Sequence, residues 1–340
     1  MACSGVSLRG ARRACAVLVA GLCGFPAAFA AQGSAGEAAP GGAYPVRPIR
    51  LIVGQAPGGG LDILSRALAQ RLTEVLGQSV VVDNRSGAAG TIGSTLAAKS
   101  APDGYTALIV SVTYSINPSL YSRLPFDPVR DLRPVALIAS TPFILLVSPA
   151  VPVKSVKDLI DYARPRPRQL NYGSGGLGNS GHLAAELFCS MAGVEFVHVP
   201  YKGTGLAMND LLAGQIQMIF NSMIQGLPYA RSRRLTALAV TTAARSAALP
   251  ELPTIAESGL PGYDFSSWYG LMVPAGTPGG IVRRLNADIT QALNDPDFRA
   301  RLAKDGSEPA GGSPERFAAH LASEMAKWAK VAKATGMKIE

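Results

Sequence analysis

From residue 48 onward, apolar positions switch between two periods. Short runs of branched and aliphatic residues, IRLIV at 49–53, SVVVD at 79–83 and YTALIVS at 105–111, read as strands. Between them, ILSRALAQRLTEVL carries Leu64, Leu68, Leu72 and Leu76 at helical spacing, and TIGSTLAAKSA carries a shorter helix that ends before Pro102-Asp103-Gly104. The order βαβαβ predicts a parallel sheet with helices on its faces. The second half follows the same logic without an internal repeat. VKDLIDYAR and LAMNDLLAG read as helices, EFVHV, QIQMIF and LTALAVT as strands, and HLAAELFCSMAG as a helix with Leu183, Leu187 and Met191 on one stripe. SSWYGLMVPAG then begins a strand that leads to three C-terminal helices, the first opened by Thr277-Pro278 and the last by Ser313-Pro314.

One uncharged stretch, Pro134 to Val153, is long enough to suggest a membrane span. Its four prolines argue instead for two buried strands, VALIAS and FILLV. The N-terminus is different. Arg9, Arg12 and Arg13 precede an apolar run from Ala14 to Gly24 and an Ala28-Phe29-Ala30 cleavage site, the pattern of a secretory signal over residues 1–30. The Ala/Gly-rich segment 31–44 reads as a leader without structure. Cleavage near Ala30 leaves 340 − 30 = 310 residues, enough for two domains, in the periplasm. It also leaves Cys189 as the single cysteine, read as a small core residue, and 29 basic against 23 acidic residues, a charge of +6. The basic clusters at 164–168 and 231–234 are short and lack interleaved aromatics, so nucleic acid is not expected.

Chemistry concentrates in the strand-to-helix turns. NYGSGGLGNSGH, residues 171–182, joins a short strand to a helix through a loop rich in glycine. Glycines let backbone N–H groups turn inward, and the following helix N-terminus adds partial positive charge, so such a loop holds an anion. It spells G-x-G-x-x-G as Gly176, Gly178 and Gly181, yet no acidic residue stands where a nucleotide ribose would need one. The loop from Gln55 to Asp62 mirrors it, with Gly58, Gly59 and Gly60 before a helix that Asp62 is placed to cap. Ligands of such sheets gather beyond the carboxyl ends of strands, so the two loops predict one cleft with a loop on each wall. No cofactor is implied, and no His, Cys or Asp cluster has metal-ligand spacing. A serine hydrolase built on His182 with Ser174 or Ser180 lacks the G-x-S-x-G elbow and an orienting carboxylate. His198 reads as structural and His320 as a surface residue.

Several motifs occur in an order that resembles a known family. These are Ala56-Pro57-Gly58-Gly59-Gly60-Leu61-Asp62, Asp83-Asn84-Arg85-Ser86-Gly87-Ala88-Ala89-Gly90, Ala101-Pro102-Asp103-Gly104-Tyr105-Thr106, Ser174 to His182, Val199-Pro200-Tyr201-Lys202-Gly203 and Leu252-Pro253-Thr254-Ile255-Ala256-Glu257. Together they resemble the Bug proteins, the substrate-binding proteins of tripartite tricarboxylate transporters. The resemblance implies an α/β fold of the two-domain periplasmic-binding-protein, or flytrap, kind. Each domain would be a mostly parallel sheet flanked by helices, with the ligand in the interdomain cleft. It implies a first domain from 45–144 completed by 270–340 and a second from 145–269, with crossings near Phe143 to Val147 and near Trp268 to Val273.

The implied ligand is a small carboxylate, di- or tricarboxylic or aromatic, held largely by backbone N–H groups, hydroxyls and bridging waters. The implied contact residues are Gln55, Gly58, Gly59, Gly60, Leu61, Asp62, Ala89, Gly90, Ser174, Gly176, Gly178, Asn179, Ser180, His182, Tyr201, Lys202, Gly203 and Asn221. Relatives usually carry an aromatic residue at Gln55, a hydroxyl at Leu61 and often Asp at Asn221. An Asp could pair with a ligand ammonium where Asn cannot, which favours a carboxylate without an amine. A monomer in transient contact with membrane permease subunits is implied; a receptor serving a sensor kinase is the alternative, and an enzyme is not expected.

Overall fold

The computed structural model describes residues 44–335 and Lys338. The expected signal at 1–30 and all of the expected leader except Tyr44 lie outside the described residues. The chain opens with β1 (Ile49–Val53), α1 (Gly60–Leu76), β2 (Val80–Asn84), a single 3-10 turn at Ala88–Gly90, α2 (Thr91–Ala98), β3 (Thr106–Ser111) and α3 (Val112–Leu120). β1 lies between β2 and β3, parallel to both, with Leu51 opposite Val82 and Ala107. The Leu64, Leu68, Leu72 and Leu76 stripe of α1 is buried in a cluster with Leu51, Val53 and Ile109 of β1 and β3. Each fully buried leucine of this kind contributes about 1.5–3 kcal/mol.

β4 (Leu132–Val147) then leads to α4 (Val156–Ala163), β5 (Asn171–Ser174), α5 (Ser180–Ala192), β6 (Val197–Pro200), α6 (Thr204–Leu212), β7 (Met218–Ser222), α7 (Met223–Arg231) and β8 (Thr236–Val240). β5 is parallel to β6 and β7. β9 (Ser266–Pro274) returns beside β3 and β4, followed by α8 (Gly279–Asn294), α9 (Pro296–Lys304), the short β10 (Glu308–Pro309) and α10 (Pro314–Thr335). The order across the sheet is β2-β1-β3-β9-β4-β7-β5-β6. The outer strands of each lobe are thus parallel, while β4 passes between the lobes, antiparallel to β9 in the first and to β7 and β8 in the second.

The uncharged stretch is one strand of 16 residues and not the two expected. Pro134 sits beside a shift of register against β9, where a missing N–H is tolerated. At Pro142 the strand exchanges partners: residues through Pro142 pair with β9, and Phe143 to Val147 pair with β7 and β8. Thr241 fastens this exchange, accepting the Phe143 N–H at 2.8 Å and donating to Phe265 O at 2.7 Å through its hydroxyl. Two helices, α3 and α7, were not expected. Each follows its strand without a loop, and each contains a proline, Pro118 or Pro228, which obscures a helical pattern.

α10 closes the first lobe. Phe317, Leu321 and Trp328 are buried with Trp268 of β9, and Glu324 Oε2 accepts from the indoles of both Trp268 (3.1 Å) and Trp328 (3.2 Å). His320 is not the expected surface residue: its ring packs edge-on against Trp268 at 5.2 Å and its Nε2 is buried without a partner. Cys189 is half-buried against the core, and burial pushes its thiol up to about 12. Among the described residues no helix is long and apolar enough to cross a membrane.

Candidate functional site

β1, β2, β3, β5, β6 and β7 each lead into a helix. α1, α2 and α3 start from the first lobe, and α5, α6 and α7 from the second. Their preceding cap positions are Gly59, Gly90, Ser111, Asn179, Gly203 and Ser222. Only Asn179 caps with its own side chain, accepting the Gly181 N–H at 3.0 Å; the other five make no side-chain cap. Each helix start carries about half a positive charge in its unpaired N–H groups. Gly59, Gly90, Asn179 and Gly203, with Thr113 of α3, line a cavity of about 690 Å3, while Ser222, ahead of α7, lines a separate small one.

One wall is built by Gly54 to Ala56 and Gly59, by Ser86 to Gly90, and by Thr113 and Tyr121. The other is built by Gly175 to Leu177, Asn179, and Pro200 to Thr204. Among the described residues Lys202 is the one charged side chain lining it, and no acidic side chain does. Gly87, Ala88, Ala89 and Gly90 all have positive φ, from 44° to 130°. Two consecutive alanines in the left-handed region cost about 1–3 kcal/mol each, and strain of this kind accumulates where backbone N–H groups are turned toward a ligand. The walls meet closely. A Cβ on Gly203 would stand 2.8 Å from Ala56 Cβ, and one on Gly60 would stand 2.7 Å from Ser222 Oγ.

The expected residues separate into three groups. Gln55, Gly59, Ala89, Gly90, Gly176, Asn179, Tyr201, Lys202 and Gly203 line the main cavity. Gly60, Leu61, Ser180 and Asn221 line a smaller inner cavity of about 20 Å3, together with Gln55, Ser111, Ser222, Ser267 and Tyr269. The three departures from the family pattern, Gln55, Leu61 and Asn221, therefore meet at one place. Asn221 is 2 % exposed and spends its amide on Gln225 Oε1 (2.9 Å) and on the Ser222 N–H (2.9 Å).

Gly58, Asp62, Ser174, Gly178 and His182 line neither cavity and instead hold the loops from behind. Asp62 accepts from Gly58 N (2.9 Å), Arg66 Nε (3.0 Å) and Asn84 Nδ2 (2.9 Å). Burial opposes its charge, but the bonds from Arg66, Gly58 and Asn84 outweigh it and hold the carboxyl below the usual range. Asn84 also donates to Gln55 O, so the second strand pins the first loop.

Ser174 is fully buried; its Oγ accepts the Gly176 N–H at 3.1 Å and lies 2.6 Å from His198 Nε2. His198 and His182 stack at 4.1 Å, with Tyr172 at 4.8 Å on His198, and Gly178 N donates to His182 Nδ1 at 3.2 Å. Burial, and then the neighbouring His182, bring His198 down to about 4; burial lowers His182 too, against the pull of Glu186. The pair is thus held neutral as the support of the second loop. Tyr201 turns its hydroxyl to Asp210 (2.6 Å); burial first and that bond second push it up to about 12, and the residue lines the cavity.

Sequence reasoning missed Thr113, Tyr121 and Thr204. Thr113 belongs to the unexpected helix α3, and Tyr121 follows it directly as the C-cap. Thr204 follows the Tyr201-Lys202-Gly203 motif directly and could have been found by extending it one residue.

Comparison with known proteins adds an independent line. The family described as Tripartite tricarboxylate transporter family receptor matches residues 64–337. Protein BugT of Bordetella pertussis is 38% identical over 311 residues, 90% of this chain and 95% of that one. Two solved structures are similar throughout. An R. palustris protein with adipate has a TM-score of 0.84 at 42% identity, covering 87% of this chain and 99% of its own. MatC from Rhodopseudomonas palustris with bound malate has a TM-score of 0.81 at 30% identity, covering 85% and 99%.

Proposed function

Because the chain belongs to the tripartite tricarboxylate transporter receptor family, we propose that its cleft captures a small carboxylate in the periplasm and presents it to membrane permease subunits. The observation that carries this reading is the convergence of five helix N-termini, four without side-chain caps, on a cavity lined, among the described residues, by one lysine and no acid. Such a site stabilises an anion mainly through backbone dipoles fixed before the ligand arrives. The lobes close on the ligand, pivoting where β4 changes partners at Pro142 and where the chain returns at Phe265. Relatives with adipate and malate support a carboxylic acid as cargo. The family is one of transporter receptors, which leaves the sensing alternative without support.

Tyr201, Tyr121 and Leu177 give the cavity apolar surface beside the anion loops, room for a carbon skeleton. Export through a signal cleaved near Ala30, residence as a monomer, and domain limits of 45–144 with 270–340 and of 145–269 are parts of the same proposal. The test is calorimetric titration and thermal unfolding of residues 31–340 against di-, tri- and aromatic carboxylates at pH 7. A ligand at about 100 times its dissociation constant adds about 2.7 kcal/mol, a readable rise in midpoint. A rise with nucleotides or neutral sugars and none with any carboxylate would sink the reading.

A further inference from the structure

Two buried polar atoms beside the cavity have no partner among the described residues. Thr113 Oγ1 and Asn117 Oδ1 lie one turn apart on α3, in residues 4% and 3% exposed. Asn117 donates its Nδ2 to Ala89 O at 3.1 Å, which fixes the amide and leaves Oδ1 as its free end. Both residues line a small cavity of about 20 Å3. It adjoins the main cavity, sharing Gln55, Ala89, Gly90 and Thr113 with its wall. Unpaired polar atoms are costly to bury, so this place is built to receive something polar.

What it receives follows from donor and acceptor count. Roughly 10–15 Å3 suffices for one oxygen-sized group, so the space admits a single hydroxyl or water and not a whole carboxylate. A carboxylate oxygen only accepts, and would find no use for Asn117 Oδ1. A hydroxyl does both, accepting from Thr113 and donating to Asn117. An ammonium could donate to both atoms, but among the described residues no acidic side chain lines either cavity to balance its charge.

We propose that Thr113 and Asn117 form a hydroxyl-reading subsite, and that the protein's preferred ligands are hydroxylated carboxylic acids. The proposal rests on the carboxylate reading above. With an acid that lacks a hydroxyl, an ordered water fills the subsite. Displacing that water by a tethered hydroxyl gives roughly tenfold tighter binding, the worth of one or two net hydrogen bonds.

The experiment is calorimetric titration of residues 31–340 with matched probes: malate against succinate, and 3-hydroxybenzoate against benzoate. The expected result is about a tenfold preference for the hydroxylated member of at least one pair. Thr113→Val, similar in volume without a hydroxyl, brings the preference below about twofold, and Thr113→Ser keeps it. Melting of the ligand-free variants shows that both are folded, and the wild-type comparison stands without them. A preference that survives in Thr113→Val overturns the subsite. Equal binding of every pair by the wild type does the same, assigning the space to water alone and leaving the carboxylate reading intact. No binding of any acid by the wild type overturns both.

Discussion

Gly60→Ala separates closure of the cleft from folding of the chain. Gly60 begins α1 in the first lobe, and Ser222 ends β7 in the second. The added Cβ would lie 2.7 Å from Ser222 Oγ, 2.8 Å from Ser222 Cβ and 3.3 Å from the Tyr269 hydroxyl. Carbon contacts settle at about 3.5–4.0 Å, so the methyl group acts as a wedge between lobes. Gly60 is not among the residues of positive φ, and alanine in a helix is favoured over glycine by up to about 1 kcal/mol. Overpacking typically costs about 1–3 kcal/mol, and here it falls on the closed form alone. At 1.4 kcal/mol per tenfold, we predict carboxylate affinity weaker by about 5- to 150-fold. The ligand-free midpoint should stay level or rise by up to about 3 °C. Titration calorimetry gives the first quantity and scanning calorimetry without ligand the second. Ser222→Gly in the same chain removes both clashing atoms and should restore affinity. An unchanged affinity would refute the reasoning, as would a ligand-free midpoint that falls in step with binding, since the contact would then belong to every state of the protein.

Two further predictions concern the groups behind the loops. Asp62→Asn replaces an acceptor-only carboxylate that three donors share, and should cost about 1–3 kcal/mol in unfolding free energy at pH 7. Because the folded carboxyl titrates below its ordinary range, this contribution is present above about pH 4 and is lost as pH falls through the folded value. Denaturant titrations of the two proteins should therefore converge as pH falls below the ordinary carboxylate range, and a gap independent of pH would contradict the assignment. For His198 the folded value, about 4, lies below the ordinary 6.5, so between those values the unfolded chain binds a proton that the native chain does not. Stability should rise with pH across that window, with His182 adding in the same sense, and His198→Gln should flatten the rise. Parallel melting curves for wild type and variant from pH 4 to 7 would remove His198 from the loop's support.

Much of this protein is local in origin and therefore legible in the chain. The α1 stripe and the β1, β2 and β3 runs follow from period alone, and each glycine loop announces itself between a strand and a helix cap. That these loops would collect at one cleft follows from parallel topology. The anion preference was readable for the same reason, because it comes from backbone N–H groups and not from a particular side chain. Tertiary structure decided the rest. β4 is one strand because Pro142 lies where its partner changes, which no local pattern can reveal. α3 and α7 are helices because their strands end at the cleft and turn there; their own sequences, with internal proline, argue otherwise. Residues of one motif also part company in space. Gln55 and Gly59 line the main cavity while Gly58 and Asp62 hold the loop from behind, and Ser174 and His182 turn into the protein while Asn179 lines the cavity. Sequence sets which residues can make an anion loop, but which side of the loop each atom faces depends on strands and helices brought from elsewhere in the chain, and only folding supplies those.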